Sequence, residues 1–185
     1  PDEVQKILMD LGFTDEVGAA GSYSTVFSKP GSNVVVKVTT QRPDPCWSKF
    51  ANFVRQNPNP HFPKIGRVKK MTVEERGQTQ EYFFVFMEKL DSLSKLKGMD
   101  PRQFRSGLHD AHSAMHNHEW QSVIGGDDII AEDYPDLLAI KSKMPSFVKA
   151  LDILHKNLPE NCLPDIHSGN VMTRNGVPII IDPYM

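Results

Sequence analysis

Asp165-Ile-His-Ser-Gly-Asn170-Val-Met-Thr-Arg-Asn175-Gly-Val-Pro-Ile-Ile-Ile181-Asp182-Pro183 is the stretch that decides the reading. Asn175-Gly176 stands between two β-rich runs, and this dipeptide suits a two-residue turn whose central residues both need positive φ. The pattern predicts a hairpin over 170–181. A hairpin folds the chain back, so Asp182 returns beside Asn170 although twelve positions separate them. Asp165 precedes Asn170 by five. Two carboxylates and one amide are thereby expected to converge.

Taken singly, Asp165 and Asn170 are ordinary turn residues and Asp182 an ordinary strand end. Their order and spacing meet a more specific demand. Phosphoryl transfer needs a carboxylate to orient the attacking hydroxyl or accept its proton, and oxygen ligands to hold magnesium on the nucleotide phosphates. Asp165 suits the first task, Asn170 and Asp182 the second. His167, inside the same loop, either donates a hydrogen bond to the γ-phosphate or packs within the loop.

Upstream of this segment the apolar period is helical. Residues 101–118 form one candidate helix, with Asp100 as N-cap and Pro101 in the first turn. A Gly-Gly-Asp-Asp loop follows around 125–128. Residues 135–157 carry Leu137, Leu138, Ile140, Met144, Phe147, Val148, Leu151 and Leu154, a long helix that Pro145 should kink or split. The first half reads differently. Val4, Ile7, Leu8 and Leu11 give a short leading helix over 2–11, ended by Gly12. Strand-like runs then surround residues 18–27, 34–38, 65–73 and 80–87, the last two joined around Arg76-Gly77-Gln78. One helix interrupts them at 45–57, where Trp47, Phe50, Ala51 and Val54 share a face before Asn57-Pro-Asn-Pro60 closes it.

The chain has 185 residues, 39% of them hydrophobic, and 21 Lys+Arg against 23 Asp+Glu for a net charge of −2. That balance supplies no large basic field, so no nucleic-acid partner is expected. The apolar content argues against disorder. The apolar run at 82–87 falls far short of the ~20 residues that a membrane-spanning helix needs. Cys46 and Cys162 are too few for a disulfide scaffold, and the start carries no basic-then-apolar signal peptide. The expectation is a soluble, cytoplasmic protein with no membrane partner.

The Asp-x4-Asn loop followed by a metal-binding Asp resembles the protein-kinase-like superfamily. Further pieces fit that likeness. Lys37 in Val34-Val-Val-Lys-Val looks like the strand lysine that pairs with nucleotide phosphates. Gly21-Ser22-Tyr23-Ser24 looks like the latter half of the glycine-rich loop, although Ser24 replaces its last glycine. Phe86-Met-Glu88-Lys-Leu90 looks like the segment linking the lobes, where backbone groups near Glu88 and Leu90 would bond adenine. Closer still is the similarity to the early serine/threonine protein kinases of short-tailed bacteriophages. It is carried by Asp165–Met172, Asn175-Gly176-x-Pro178 and Asp182-Pro183, with Gly21–Ser24 and Val36-Lys37-Val38 at the other end. Aminoglycoside phosphotransferases share the Asp-x-His-x-Gly-Asn pattern.

These resemblances imply an α+β, protein-kinase-like fold: a five-stranded antiparallel N-lobe with one helix over 1–90, then a reduced helical C-lobe over 91–185. ATP with Mg2+ would lie between the lobes, and the acceptor would be Ser or Thr of host proteins, or the protein itself, in the host bacterial cytoplasm. Two alternatives stand beside this: a small-molecule kinase of the aminoglycoside type, and a non-catalytic pseudokinase that binds a host protein. The pattern is departed from elsewhere too, as at Asp182-Pro183-Tyr184, which stands where Asp-Phe-Gly is usual. Leu163-Pro164 replaces the usual His-Arg before the catalytic Asp, His167 stands for a lysine, and no Glu occurs between Lys37 and Glu74.

His109, His112 and His116 share a predicted helix face; packing is preferred there over a zinc or nickel site. Lys and Arg between Lys64 and Lys70 alternate with Ile65, Val68 and Met71, which fits a solvated sheet face better than an RNA patch.

Overall fold

The computed structural model describes residues 3–19, 24–40, 43–75 and 77–185. The fold is α+β. Contacts divide the chain into two compact units, Pro1–Pro45 with Lys64–Lys89, and Cys46–Pro63 with Leu90–Met185. Among the described residues no helix is long and apolar enough to cross a membrane.

The first unit holds α1 (Glu3–Asp10) and five strands, β1 (Asp15–Ala19), β2 (Ser24–Ser28), β3 (Val34–Thr39), β4 (Lys69–Glu75) and β5 (Gln78–Glu88). They form one antiparallel sheet in the order β1-β2-β3-β5-β4. Gly12 ends α1 at φ +81°, with Phe13 N–H bonded to Leu8 C=O and Gly12 N–H to Met9 C=O, a paired C-terminal closure that needs the left-handed conformation. Val4 and Leu8 bury against Val36, Val38, Val73, Tyr82 and Phe84. Ile7 and Leu11, expected on the same buried face, stay exposed at 36% and 52%. One short helix covers only as much sheet as two of its turns can reach.

The run expected as a strand over 65–73 joins the ladder only at Lys69. Ile65 instead makes an isolated bridge to Met87, and Gly66 N–H bonds Phe86 C=O. Lys64, Arg67, Lys69 and Lys70 are all exposed, with Lys70 paired to Glu81.

The second unit begins with α2 (Pro45–Gln56), which buries Trp47, Phe50, Ala51 and Val54. The sequence reading groups this helix with the sheet; its contacts lie in the second unit. Phe50 meets Tyr184 edge-on at 6.0 Å, and Lys49 Nζ donates to Glu160 C=O. A disulfide also joins Cys46 to Cys162, 116 positions away. The expectation gave the two cysteines no joint role. Folding sets the first turn of α2 beside residue 162, a pairing no local pattern announces.

Helix α3 (Pro101–His116) starts where the Asp100 side chain accepts the Arg102 and Gln103 N–H groups. It is followed by α4 (Trp120–Gly125), α5 (Asp128–Ala131), α6 (Pro135–Lys143) and α7 (Pro145–Lys156). The loop expected around 125–128 is shorter, Gly126 and Asp127 between two short helices, with Gly126 at φ 92°. Pro145 splits the long helix rather than kinking it, because it opens α7 as the first helical residue. Asp110 on α3 accepts the N–H groups of Asp136 and Leu137, satisfying orphan donors at the start of α6. One turn earlier, Gly107 lets α6 approach so closely that an added Cβ would lie 2.6 Å from Asp136 C=O. Strands β6 (Val171–Arg174) and β7 (Val177–Ile180) close the chain as a hairpin, with Asn175 at φ 56° and Gly176 at φ 90°.

Candidate active site

The hairpin is held from both ends. Thr173 exchanges backbone hydrogen bonds with Asp91, the Arg174 guanidinium donates to Pro60 and Phe62 C=O, and Ile180 N–H donates to His61 C=O. His61 is 5% exposed. Its Nδ1 donates to Pro178 C=O, because a carbonyl only accepts, and Nε2 then takes the Ser146 hydroxyl. Burial lowers the His61 pKa from its ordinary value, which keeps the ring neutral in this role.

The loop before the hairpin is pinned to the segment after it. Leu163 and Met185 exchange N–H···O=C bonds at 2.8 and 3.0 Å, and Asp165 N–H donates to Pro183 C=O at 2.7 Å. Ile181 N–H donates to Asn170 C=O at 2.9 Å. Asp182 thus sits between two residues whose backbones are bonded to the two loop residues that matter. These bonds bring Asp165, Asn170 and Asp182 onto one backbone frame.

Asn170 Nδ2 donates to Asp165 C=O and to Asp165 Oδ2, both at 2.9 Å. A carbonyl and a carboxylate can only accept, so the amide orientation is fixed by its partners and its Oδ1 is turned away from Asp165. His167 Nδ1 accepts the Gly169 N–H at 3.0 Å, so the neutral ring carries its proton on Nε2, 3.4 Å from Asp165 Oδ2. Asn170 Nδ2 also lies 3.0 Å from that same Nε2, so the His167 ring, the Asn170 amide and Asp165 form one cluster. Oδ2 is engaged, and Oδ1 takes no hydrogen bond from a described residue. The imidazole, one of whose two expected roles was to face a phosphate, lies instead beside the Asn170 amide and 3.4 Å from the Asp165 carboxylate. Gly169 permits this, since a Cβ there would lie 2.8 Å from His167 Cε1.

Asp182 is half-buried, with Oδ1 shut off from solvent. Asn170 Oδ1 and the Asp182 carboxylate are hard oxygen donors, the type that suits Mg2+. Among the described residues no three His, Cys, Asp or Glu side chains gather to cage an ion. An ion held by Asn170 and Asp182 would complete its shell with phosphate oxygens and water, the usual habit of magnesium. The residues present fit that group.

Other expected site residues lie in or next to the first unit. Lys37 is half-buried on β3, opposite Val26 and Val85 in register. Strand alternation turns it away from the face where Val36 and Val38 bury with α1. Glu88 N–H is bonded to Lys64 C=O, and Glu88 Oε1 accepts Lys64 N–H at 2.7 Å. Leu90, at the start of the second unit's main segment, is half-buried. Gly21, Ser22 and Tyr23 lie outside the described residues, and Ser24 opens β2 opposite Thr39.

Two features of this neighbourhood escaped sequence reasoning. His116 Nε2 lies 3.1 Å from Pro164 C=O, and the His116 ring lies against the His112 ring, tilted, with centroids 4.4 Å apart. Tyr184 donates from its hydroxyl to Leu154 C=O, and burial pushes its pKa up. The helical spacing of the histidines was visible, but their partner was not.

No protein-family model matches the chain, and no curated protein matches it. Among solved structures, it is similar to spectinomycin phosphotransferase APH(9)-Ia in complex with ADP and spectinomycin, at 11% identity over 99% of this chain and 69% of that one, with a TM-score of 0.41. A thermostable mutant of aminoglycoside phosphotransferase APH(4)-Ia, in a ternary complex with ADP and hygromycin B, gives 15% identity, coverage of 98% and 72%, and a TM-score of 0.44. The apo form of a thermostable mutant of the same enzyme gives 13%, 96% and 70%, and 0.40.

Proposed function

We propose that the chain is an ATP- and Mg2+-dependent phosphotransferase of protein-kinase-like, two-lobed design. The observation that carries this is the clamp of Asn170 on Asp165, with Asp182 pinned by backbone bonds on both sides. Asp165 Oδ1 would accept or orient the proton of the acceptor hydroxyl, while Oδ2 is held by Asn170. Holding one carboxylate oxygen leaves a single direction for the other, and most of the catalysis asked of such a site is positioning and electrostatics. Asn170 Oδ1 and Asp182 would hold Mg2+, which neutralises charge on the nucleotide phosphates when bound. Lys37 and the backbone of Gly21, Ser22, Tyr23 and Ser24 are assigned to those phosphates, and backbone groups near Glu88 and Leu90 to adenine.

The acceptor we put first is a small hydroxylated molecule, because His167 within Asp165-x-His-x-Gly-Asn170 is the pattern shared with aminoglycoside phosphotransferases. The second reading is a phage-type serine/threonine protein kinase acting on host proteins, supported by the wider likeness of residues 165–183. The test is transfer of label from γ-labelled ATP in magnesium, offered separately to aminoglycosides and to a bacterial lysate. Asp165→Ala should lower transfer by about 10²- to 10⁴-fold while ATP binding persists. Asp182→Ala should lose metal-dependent ATP binding. Wild-type transfer that survives intact in Asp165→Ala refutes the role of that carboxylate, and no transfer to any acceptor, self included, favours a pseudokinase.

A further inference from the structure

We propose that His116 is a positioning residue that sets the direction of Asp165 from the end of α3. The inference rests on the phosphotransferase reading and adds to it a residue outside the loop. Leu163 N–H and C=O are both bonded to Met185, Asp165 N–H is bonded to Pro183 C=O, and Asp165 C=O accepts the Asn170 amide. Pro164 has no N–H to give. Its C=O is left, in a buried residue, and among the described residues it receives only His116 Nε2, at 3.1 Å.

A carbonyl accepts, so His116 carries its proton on Nε2 and donates. Neither Leu163 nor Pro164 has a side-chain donor that could replace it. The consequence is geometric. Pro164 C=O and Asp165 N–H belong to one planar peptide, and that plane is now tied at both edges, to α3 through His116 and to the returning segment through Pro183. A peptide so held cannot rotate, and the Cα–Cβ direction of the next residue, Asp165, is set with it. The His112 ring packs against the His116 ring at 4.4 Å, tilted by 49°, and limits its rotation.

The test compares wild type, His116→Ala and His116→Gln, the glutamine keeping an N–H donor at similar reach. Three measurements are made on the full chain: kcat and KM for ATP in label transfer, exchange of the Asp165 amide by NMR, and the ring tautomer of His116 from long-range proton–nitrogen correlations. His116→Ala should lower kcat roughly ten- to a hundredfold, the scale of losing alignment of a reacting group, with KM for ATP little changed. Its Asp165 amide should exchange faster, His116→Gln should recover both, and wild-type His116 should show the Nε2–H tautomer. Equal loss in Ala and Gln variants, unchanged Asp165 exchange in His116→Ala, or an Nδ1–H tautomer would each overturn the proposal. If wild type transfers no phosphate, the phosphotransferase reading fails on its own, and the exchange and tautomer results still decide whether His116 holds the loop.

Discussion

Replacing Gly107 by alanine tests how closely α3 and α6 approach, and hence what anchors the helix that ends at His116. For an exposed helical glycine the change should stabilise, since alanine is favoured by about 1 kcal/mol in a helix interior. At Gly107 the added Cβ would lie 2.5 Å from Ile140 Cδ1, 2.6 Å from Asp136 O and 2.9 Å from Asp136 C. The isoleucine methyl can turn aside, but the carbonyl is backbone. Carbon–oxygen contacts settle near about 3.3–3.6 Å, so the start of α6 must retreat by roughly 0.7 Å or more. Overpacking of this kind costs about 1–3 kcal/mol. The retreat also stretches the two bonds from Asp136 and Leu137 N–H to Asp110, now 3.0 and 3.2 Å long, and bonds to a charged group contribute about 1.5–3 kcal/mol each. The strain therefore exceeds the propensity gain, and we expect a net loss of about 1–3 kcal/mol. At about 2–4 °C per kcal/mol for a chain of this size, Tm should fall by roughly 2–12 °C in a circular-dichroism melt. Gly125→Ala is the control: that helical glycine meets nothing within 4 Å, and its variant should melt no lower than wild type. A rise in Tm for Gly107→Ala comparable to the control would show that the close approach does not exist.

Three further outcomes are expected. Gly169→Ala should drive the His167 ring off Asp165 and lower label transfer without lowering Tm by more than about 1–3 °C; full activity would mean that the ring position is irrelevant. Reduction of the Cys46–Cys162 bond, or the Cys46→Ser and Cys162→Ser pair, should destabilise by up to about 4–5 kcal/mol, the entropy scale for closing a loop of a hundred or more residues; a melt indifferent to reductant contradicts the bond. Stability should also fall as pH drops below the ordinary imidazole value of 6.5, because burial lowers the pKa of His61, His112 and His155 in the fold. In that window the unfolded chain takes up protons that the folded one refuses, so acid favours unfolding. Urea midpoints at pH 7.5 and 5.5 check this, and a His61→Gln variant should have a smaller difference between them.

Local chemistry was legible in the sequence. Asn175-Gly176 announces its hairpin, Asp100-Pro101 its helix start and Pro145 its helix break, since each depends on residues a few positions apart. The contact of Asn170 with Asp165 was legible for the same reason, and so was the return of the backbone on either side of Asp182 through one short hairpin. What failed depends on distance along the chain. Ile7 and Leu11 have the right period, but burial requires a partner surface that periodicity does not describe. His116 finds Pro164 across 48 positions and Cys46 finds Cys162 across 116. The inward turn of His167 was hidden too, because Gly169 matters there for the side chain it lacks.

Neither unit is a continuous length of polypeptide. The backbone passes from one to the other after Pro45, Pro63 and Lys89. A gene fragment beginning at residue 91 would encode the loop and hairpin but omit α2, the cysteine that bonds Cys162, and the Pro60 and Phe62 carbonyls that hold Arg174. Recombination at that boundary would transplant half a scaffold. Swapping modules among related proteins would need three joints cut together, so the two units are expected to be inherited as one.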